Sequence, residues 1–258
     1  MDQSAPRSLK HEYDLYVENE IDAYKESISR TALLKIGDEA VASLRSEAQF
    51  AMNELLLVAE VDKIIRKRIG LPSYTTWRKK ELKRRKELEE FRRPEYWGVR
   101  PDSPVAREIH PSADTRVLVA GADVEGAAFY FAANGCSVTA INGGTSTPAS
   151  PKTSPIPDLP GHIDHHSEKL NEWAPAESLN AVVFTRAAFA GLSAREKAHV
   201  IEVLQSATED GGIHLVETIV AGRSGMSLAE LRKKYKGWEV SVLEDGSDKA
   251  FLARKAVA

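Results

Sequence analysis

The sequence predicts a doubly wound, mainly parallel α/β sheet over residues 94–258, closed by an antiparallel hairpin and preceded by an all-helical region over residues 1–93. Three observations predict it. Up to Phe91 the apolar residues recur at steps of three or four, the period of a helix face. After Pro111 short β-branched runs alternate with helical stretches at the spacing of βα units. The last two such runs are separated by a turn containing Gly246, which makes them a hairpin on the sheet edge.

The helical region starts with a stripe running from Leu33, Leu34 and Ile36 to Val61, Ile64 and Ile65, which Gly37 and Asp38 divide into two helices. Gly70–Ser73 ends the second, and Pro72 or Ser73 opens a third, Tyr74 to Phe91, that is very polar and stops before Pro94. Arg116–Ala120 is apolar, β-branched and runs straight into glycine, as a buried strand does. Gly126 to Asn134 reads as a helix closed by Gly135, and Ser137 to Ile141 as the second strand. Thr145 to Gly161 carries five prolines, which excludes regular helix and predicts a mobile loop. Gly161–Ser167, Ala181–Thr185 and Gly212–Ile219 read as strands three to five. Between the last two lies a helix, Ser193 to Ala207, whose Ser193 and Glu196 form a capping box. A short helix, Ser227–Tyr235, then precedes the closing strands Trp238–Leu243 and Ala250–Arg254.

Composition narrows the classes. Of 258 residues 42% are hydrophobic and 28% charged, an ordinary globular balance. No run of apolar residues is long enough to span a membrane, and the polar start lacks the apolar core of a signal peptide, which makes the cytoplasm the default compartment. The single Cys136 excludes an internal disulfide and a cysteine-rich metal cluster, and at its helix-to-strand turn it reads as a small buried residue. Charge is uneven: between Lys63 and Arg93 thirteen bases face four acids, a local excess of nine in a chain of net charge −3. Such a segment can steer a polyanion, or it can be a solvated helix held by Glu-to-Lys pairs one turn apart.

Sheets of this kind bind ligands beyond the carboxyl ends of their strands, which points to the loops after Ala120, Ile141 and Thr185. The first, Ala120 to Gly126, has Gly121 for a tight turn and Gly126 where the helix start packs closely against the sheet or a ligand. Asp123 and Glu125 place two negative charges in it, which disfavours a dinucleotide pyrophosphate and suits a cationic ligand.

The run RVLVAGADVEGAAFYFAANGCSVTAI (Arg116–Ile141) resembles the opening of class I S-adenosylmethionine (SAM) methyltransferases, especially the tellurite-resistance type. PEYWGVRPDSPVAREI before it, and LQSATEDGGIHLVETI, LRKKYKGWEV and FLARKAV after it, fit the same pattern in order. The resemblance covers about residues 94–257 and implies a Rossmann-like fold, SAM as cofactor and methyl transfer to an acceptor that it does not name. It implies that Gly121, Asp123 and Gly126 line the methionine end, that Asn142 meets the ribose, and that Tyr96 or Trp97 forms a lid. Thr185 and Arg186 would face the acceptor. The chain departs from the family pattern at Val119 and Asp123, where the pattern has an acid and a glycine. It departs again at Asn142, which replaces an acid, and at Asp164–His166, which offers no clear counterpart of the acid facing the adenine amine. The alternative is therefore a catalytically inactive relative acting as a regulator.

That alternative rests on residues 63–93. Ile65 to Lys80 resembles a helix-turn-helix, with Gly70 in the turn and a polar second helix. There Thr75, Arg78, Lys79, Lys80, Arg84 and Arg85 would contact nucleic acid. The same helices can instead cap the cofactor cleft or dimerise. His162, His165 and His166 with Asp164 are the one histidine cluster. Adjacent strand residues face opposite ways and no second ligand-rich segment exists, so surface-loop histidines account for them and no metal is expected.

Overall fold

The computed structural model describes residues 8–46, 54–142, 158–217, 219, 225–245 and 248–257. The prolines expected to make a mobile loop, apart from Pro160, and the hairpin turn at Gly246 lie outside the described residues. The chain divides into two compact units, Met1–Lys86 and Glu87–Ala258.

The first unit is helical: α1 (Leu9–Ser27), α2 (Arg30–Ser46), α3 (Glu54–Arg68) and the start of α4 (Tyr74–Phe91), whose bounds match those expected. Its core joins Ile21, Ile36 and Ile65, with Val17, Val61, Ile64 and Leu71 packed around them. Tyr13 is buried against Tyr74 and Trp77 and donates its hydroxyl to the Pro72 carbonyl at 2.9 Å, so the α3–α4 turn is tied to α1. The expected break at Gly37–Asp38 does not occur, because α2 runs through both. Ile36 and Ala40 on either side are fully buried, and that packing outweighs the roughly 1 kcal/mol a lone helical glycine costs. The stripe is divided later, α2 ending at Ser46 and α3 starting at Glu54, while before the stripe Ile28 is extended and the Ser29 hydroxyl accepts the Ala32 N–H at 3.2 Å as the N-cap of α2.

The second unit holds a seven-stranded sheet of order β3-β2-β1-β4-β5-β7-β6. The strands are β1 (Arg116–Ala120), β2 (Ser137–Ile141), β3 (His162–His166), β4 (Leu179–Phe184), β5 (Thr208–Val216), β6 (Glu239–Asp245) and β7 (Asp248–Arg254). The first five pair in parallel, and β7 pairs antiparallel with both β5 and β6, giving the expected doubly wound sheet with its edge hairpin. Val117 and Val119 of β1 point to one face, toward Ala127, Ala128 and Phe131 of α6 (Val124–Ala133) and Val105 of α5 (Pro104–Glu108). Leu118 and Ala120 point to the other, toward Val200, Ile201 and Leu204 of α7 (Ala194–Ala207) and Leu231 of α8 (Leu228–Lys234). The continuous apolar run that marked β1 as a buried strand serves both faces in this way. Cys136 is buried as expected, and burial pushes its thiol up to about 11.

β5 starts four residues earlier than expected. Between the pairs Leu179↔Thr208 and Ala181↔Ile213 it carries extra residues, so the acidic turn is a bulge inside the strand. Within it Glu209 accepts hydrogen bonds from Ser178, Asn180 and Arg116 at 2.6–3.0 Å. The fully buried His214 bridges the Thr208 and Tyr235 hydroxyls at 2.7 Å each, and burial lowers it to about 3, a neutral ring.

Candidate functional site

The glycine loop after β1 is stitched to its neighbours by backbone bonds. Gly121 N–H donates to Ile141 at the end of β2 (2.9 Å), and Ala122 N–H to the Arg186 carbonyl beyond β4 (2.7 Å). Thr185 N–H donates to the Ala120 carbonyl at 2.8 Å. Gly121 has φ +129°, and a Cβ there would lie 2.5 Å from the Thr185 hydroxyl and 2.8 Å from the Arg186 carbonyl. A side chain is thus excluded twice, by conformation and by space. Asp123 follows at φ 56°, capping α6 without a side-chain hydrogen bond, and Ala187 sits at φ 62° in the facing loop. Two non-glycine residues in the left-handed region mark these two loops as over-determined by their surroundings.

Thr185, expected to face an acceptor, is only 7% exposed, and its hydroxyl is turned onto the Ala120 and Ala122 carbonyls. It is a clasp for the glycine loop, and Arg186 beside it keeps an exposed side chain. Gly126 also differs from expectation. A Cβ there would lie 2.7 Å from the Trp97 carbonyl, so the absent side chain admits protein backbone. That backbone belongs to a short 3-10 turn, Pro94–Trp97. The Trp97 ring stacks on Phe129 at 4.9 Å and donates its indole N–H to the Phe91 carbonyl at 2.6 Å. Tyr96 leans edge-on against Phe91 and Trp97 and stays 54% exposed.

At the carboxyl ends of β1, β2 and β4 lies a cavity of about 180 Å³. The glycine loop gives one wall through Gly121 and Ala122, and the end of β2 adds Ile141 and Asn142. Leu170 and Asn171 come from the loop after β3, and Ala188, Leu192 and Glu196 from the loop after β4 and the first turn of α7. Of the residues expected to hold a cofactor, the cavity brings together Gly121 and Asn142. Tyr96, Trp97, Asp123 and Gly126 are not among its lining residues.

Three groups were not read from the sequence as site residues. Asn171 donates its Nδ2 to Glu196 Oε1 at 2.9 Å, while its Oδ1 is buried and has no hydrogen-bond partner among the described residues. Glu196 holds the capping box at Ser193, accepting that backbone N–H at 2.7 Å, and this bond above all keeps its carboxyl low. Glu217 follows β5 and donates its N–H to the Phe184 carbonyl at 3.0 Å. Burial pushes its carboxyl up to about 7, with the Asp123 charge adding to the rise and Arg100 and Arg186 opposing it. Only the Ser193–Glu196 capping signal pointed near any of the three.

His162, His165 and His166 lie on the edge strand β3 rather than in a surface loop. His162 meets Asp164 at 2.9 Å and His166 meets Glu168 at 3.2 Å. Among the described residues, no group of three or more His, Cys, Asp or Glu is placed to hold a metal ion, and no helix is long and apolar enough to cross a membrane. On α4, Thr75, Arg78, Lys79, Lys80, Arg84 and Arg85 are all exposed. Arg84 and Arg85 each reach Glu81 at 2.9 Å, and Arg85 also pairs with Glu12.

No protein-family model matches the chain, and no curated protein matches it in sequence. Solved structures do resemble it. One is TehB from Haemophilus influenzae, 18% identical with a TM-score of 0.44, the match spanning 58% of this chain and 59% of that one. A second is the N-methyltransferase NodS from Bradyrhizobium japonicum, 14% identical with a TM-score of 0.42, spanning 61% of this chain and 100% of that one. A third is the glycopeptide N-methyltransferase MtfA complexed with SAM, 13% identical with a TM-score of 0.45, spanning 59% and 91%.

Proposed function

We propose that residues 94–258 form a SAM-dependent methyltransferase domain. The observation that carries this reading is the cavity beside the glycine loop, at the carboxyl ends of β1, β2 and β4, where a sheet of this topology receives a nucleoside ligand. The resemblance of Arg116–Ile141 to the opening of class I enzymes supports it from the sequence side.

The residues present fit the cofactor. Asn142 at the end of β2 offers an amide to the ribose hydroxyls. The first turn of α6 has no side-chain cap, so its amides suit a carboxylate, and the charges of Asp123 and Glu125 suit an ammonium and a sulfonium. Ile141, Leu170, Ala188 and Leu192 give apolar walls for the base. When bound, SAM would supply an electrophilic methyl group for transfer to the lone pair of an acceptor, with its sulfur leaving as the thioether of S-adenosylhomocysteine. The protein's part is to hold the two in register and keep water out, which can supply much of the rate.

Calorimetric titration of the whole chain with SAM and with S-adenosylhomocysteine (SAH) tests the reading. Saturable heat with both supports it, and no heat with either, on a chain shown to be folded by circular dichroism, refutes it.

A further inference from the structure

Beside the cavity at the glycine loop lies a larger groove of about 910 Å³, formed where the loop after β4 and the first turn of α7 face α8. The two share Gly191, Leu192 and Glu196. The groove's volume is within the roughly 300–1,000 Å³ of sites that enclose a whole small ligand. The half-buried Leu192 and the buried Met226, both packed into the core on this side of the sheet, give it an apolar floor. Around that floor stand Ser193, two carboxylates and three ammoniums.

The carboxylates are committed to the protein. Glu196 accepts the Ser193 N–H at 2.7 Å and the Asn171 amide at 2.9 Å, and Glu230 accepts the N–H and the hydroxyl of Ser227 at 2.8 and 2.7 Å. Each closes a capping box, at the starts of α7 and α8, and the serine bonds hold both carboxyls below their ordinary value. The ammoniums are differently placed. Lys197 is 9% exposed and donates to the Gly225 carbonyl at 2.7 Å, a fixed positive charge in the groove wall. Lys233 and Lys234, in the last turn of α8, form no ion pair among the described residues. The groove thus offers cations on flexible stems above an apolar floor, while its acids already have donors.

We propose that this groove is a binding site for an organic anion with an apolar body: Leu192 and Met226 take the body, and Lys233 and Lys234 pair with the acid head. A neutral ligand would leave that pairing unused, and a cationic one would face three like charges. The groove adjoins the cavity at the glycine loop and is not part of it, so an anion held here and a nucleoside held there are bound at the same time.

Fluorescence titration of the full chain tests this with two dyes that share their rings: anilinonaphthalene sulfonate, an anion, and phenylnaphthylamine, which lacks the sulfonate. The wild type binds the anion saturably and at least about tenfold more tightly than the neutral dye, the usual worth of one hydrogen bond to a charged group. Replacing both lysines (Lys233→Gln with Lys234→Gln) removes the preference and leaves the affinity for the neutral dye unchanged. Lys79→Gln with Lys80→Gln, on the exposed face of α4, changes neither affinity. Circular dichroism melts check that the variants are folded, since loosely packed chains also bind such dyes. Decanoate or monodecyl phosphate displaces the anionic dye, the stronger competitor naming the head group, and decanol does not. SAH added to saturation leaves the dye bound. Equal affinity for the two dyes, a Lys233→Gln, Lys234→Gln protein as selective as the wild type, or displacement by SAH overturns the site. Displacement by decanol as readily as by the acids overturns it too. A chain that shows the lysine-dependent preference and binds no SAH overturns the methyltransferase reading and leaves the groove standing.

Discussion

Replacing Gly126 by alanine sets two forces of opposite sign against each other. In an open helix position the change would stabilise the protein by about 1 kcal/mol, because alanine loses less backbone freedom than glycine and favours the helix. Here the new Cβ would lie 2.7 Å from the Trp97 carbonyl, 0.7 Å inside the distance at which ordinary contact begins. The carbonyl cannot swing away cheaply. Its turn is held by Gly98 and Val99 N–H bonds to Glu95 and Pro94 at 3.1 and 3.0 Å, by the indole bond to Phe91, and by the stack on Phe129. Forcing a methyl group into such packing costs about 1–3 kcal/mol. The clash outweighs the helix gain, for a net loss of about 1 kcal/mol. Urea denaturation gives this number, and near-ultraviolet circular dichroism reports whether the Trp97–Phe129 stack has moved. A Gly126→Ala protein about 1 kcal/mol more stable than the wild type, with an unchanged near-ultraviolet spectrum, would refute the close approach.

Other perturbations report on different parts of the site. Asn142→Asp strengthens SAH binding by about 1 kcal/mol in calorimetry, since a carboxylate bonds a ribose diol more strongly than an amide, and weaker binding would remove Asn142 from the ribose. Glu217 titrates at 4.5 when unfolded and at about 7 when folded, so native stability falls as pH rises through that window. Glu217→Gln abolishes the fall, and urea midpoints show it up to about 3 kcal/mol more stable than the wild type at pH 8 and no different at pH 4; equal midpoints at both pH values would mean that burial does not raise the carboxyl. Replacing Lys79, Lys80, Arg84 and Arg85 of α4 by alanine leaves SAH affinity unchanged, because these are solvated side chains. Salt-steep binding of duplex DNA by the native chain, lost in that variant, would instead make α4 a phosphate-contacting surface.

The elements that were legible in the sequence owe their form to local rules. β1, β2 and α4 appear at the bounds expected of them, because an apolar β-branched run ending in glycine and a polar helix set between Pro72–Ser73 and Pro94 each announce themselves within one window. Tertiary packing decided the rest. α2 passes through Gly37 because Ile36 and Ala40 are buried by contacts distant in sequence, and β5 gains its first turn from the bulge against β4. At the candidate site, Asn142 and Gly121 could be placed from strand ends alone. Asn171 and Glu196 could not, because neither residue is unusual until the fold brings the amide onto the carboxylate.

The two glycines show why a motif can mark a site correctly and still misplace the contact. A glycine in a strand-to-helix loop declares that something approaches the backbone closely, and the sequence leaves open whether that is a ligand or the protein itself. At Gly121 the close neighbours are Thr185 and Arg186, and at Gly126 the Trp97 carbonyl. Both glycines thus fasten the loop after β1 to the segments on either side. The resulting rigidity holds Asp123 and Ala187 in the left-handed conformation, which neither would keep alone. The cofactor would therefore meet a loop already set, with the Gly121 and Ala122 amides engaged by Ile141 and Arg186. Its anionic end can draw only on the amides from Asp123 onward, the uncapped first turn of α6.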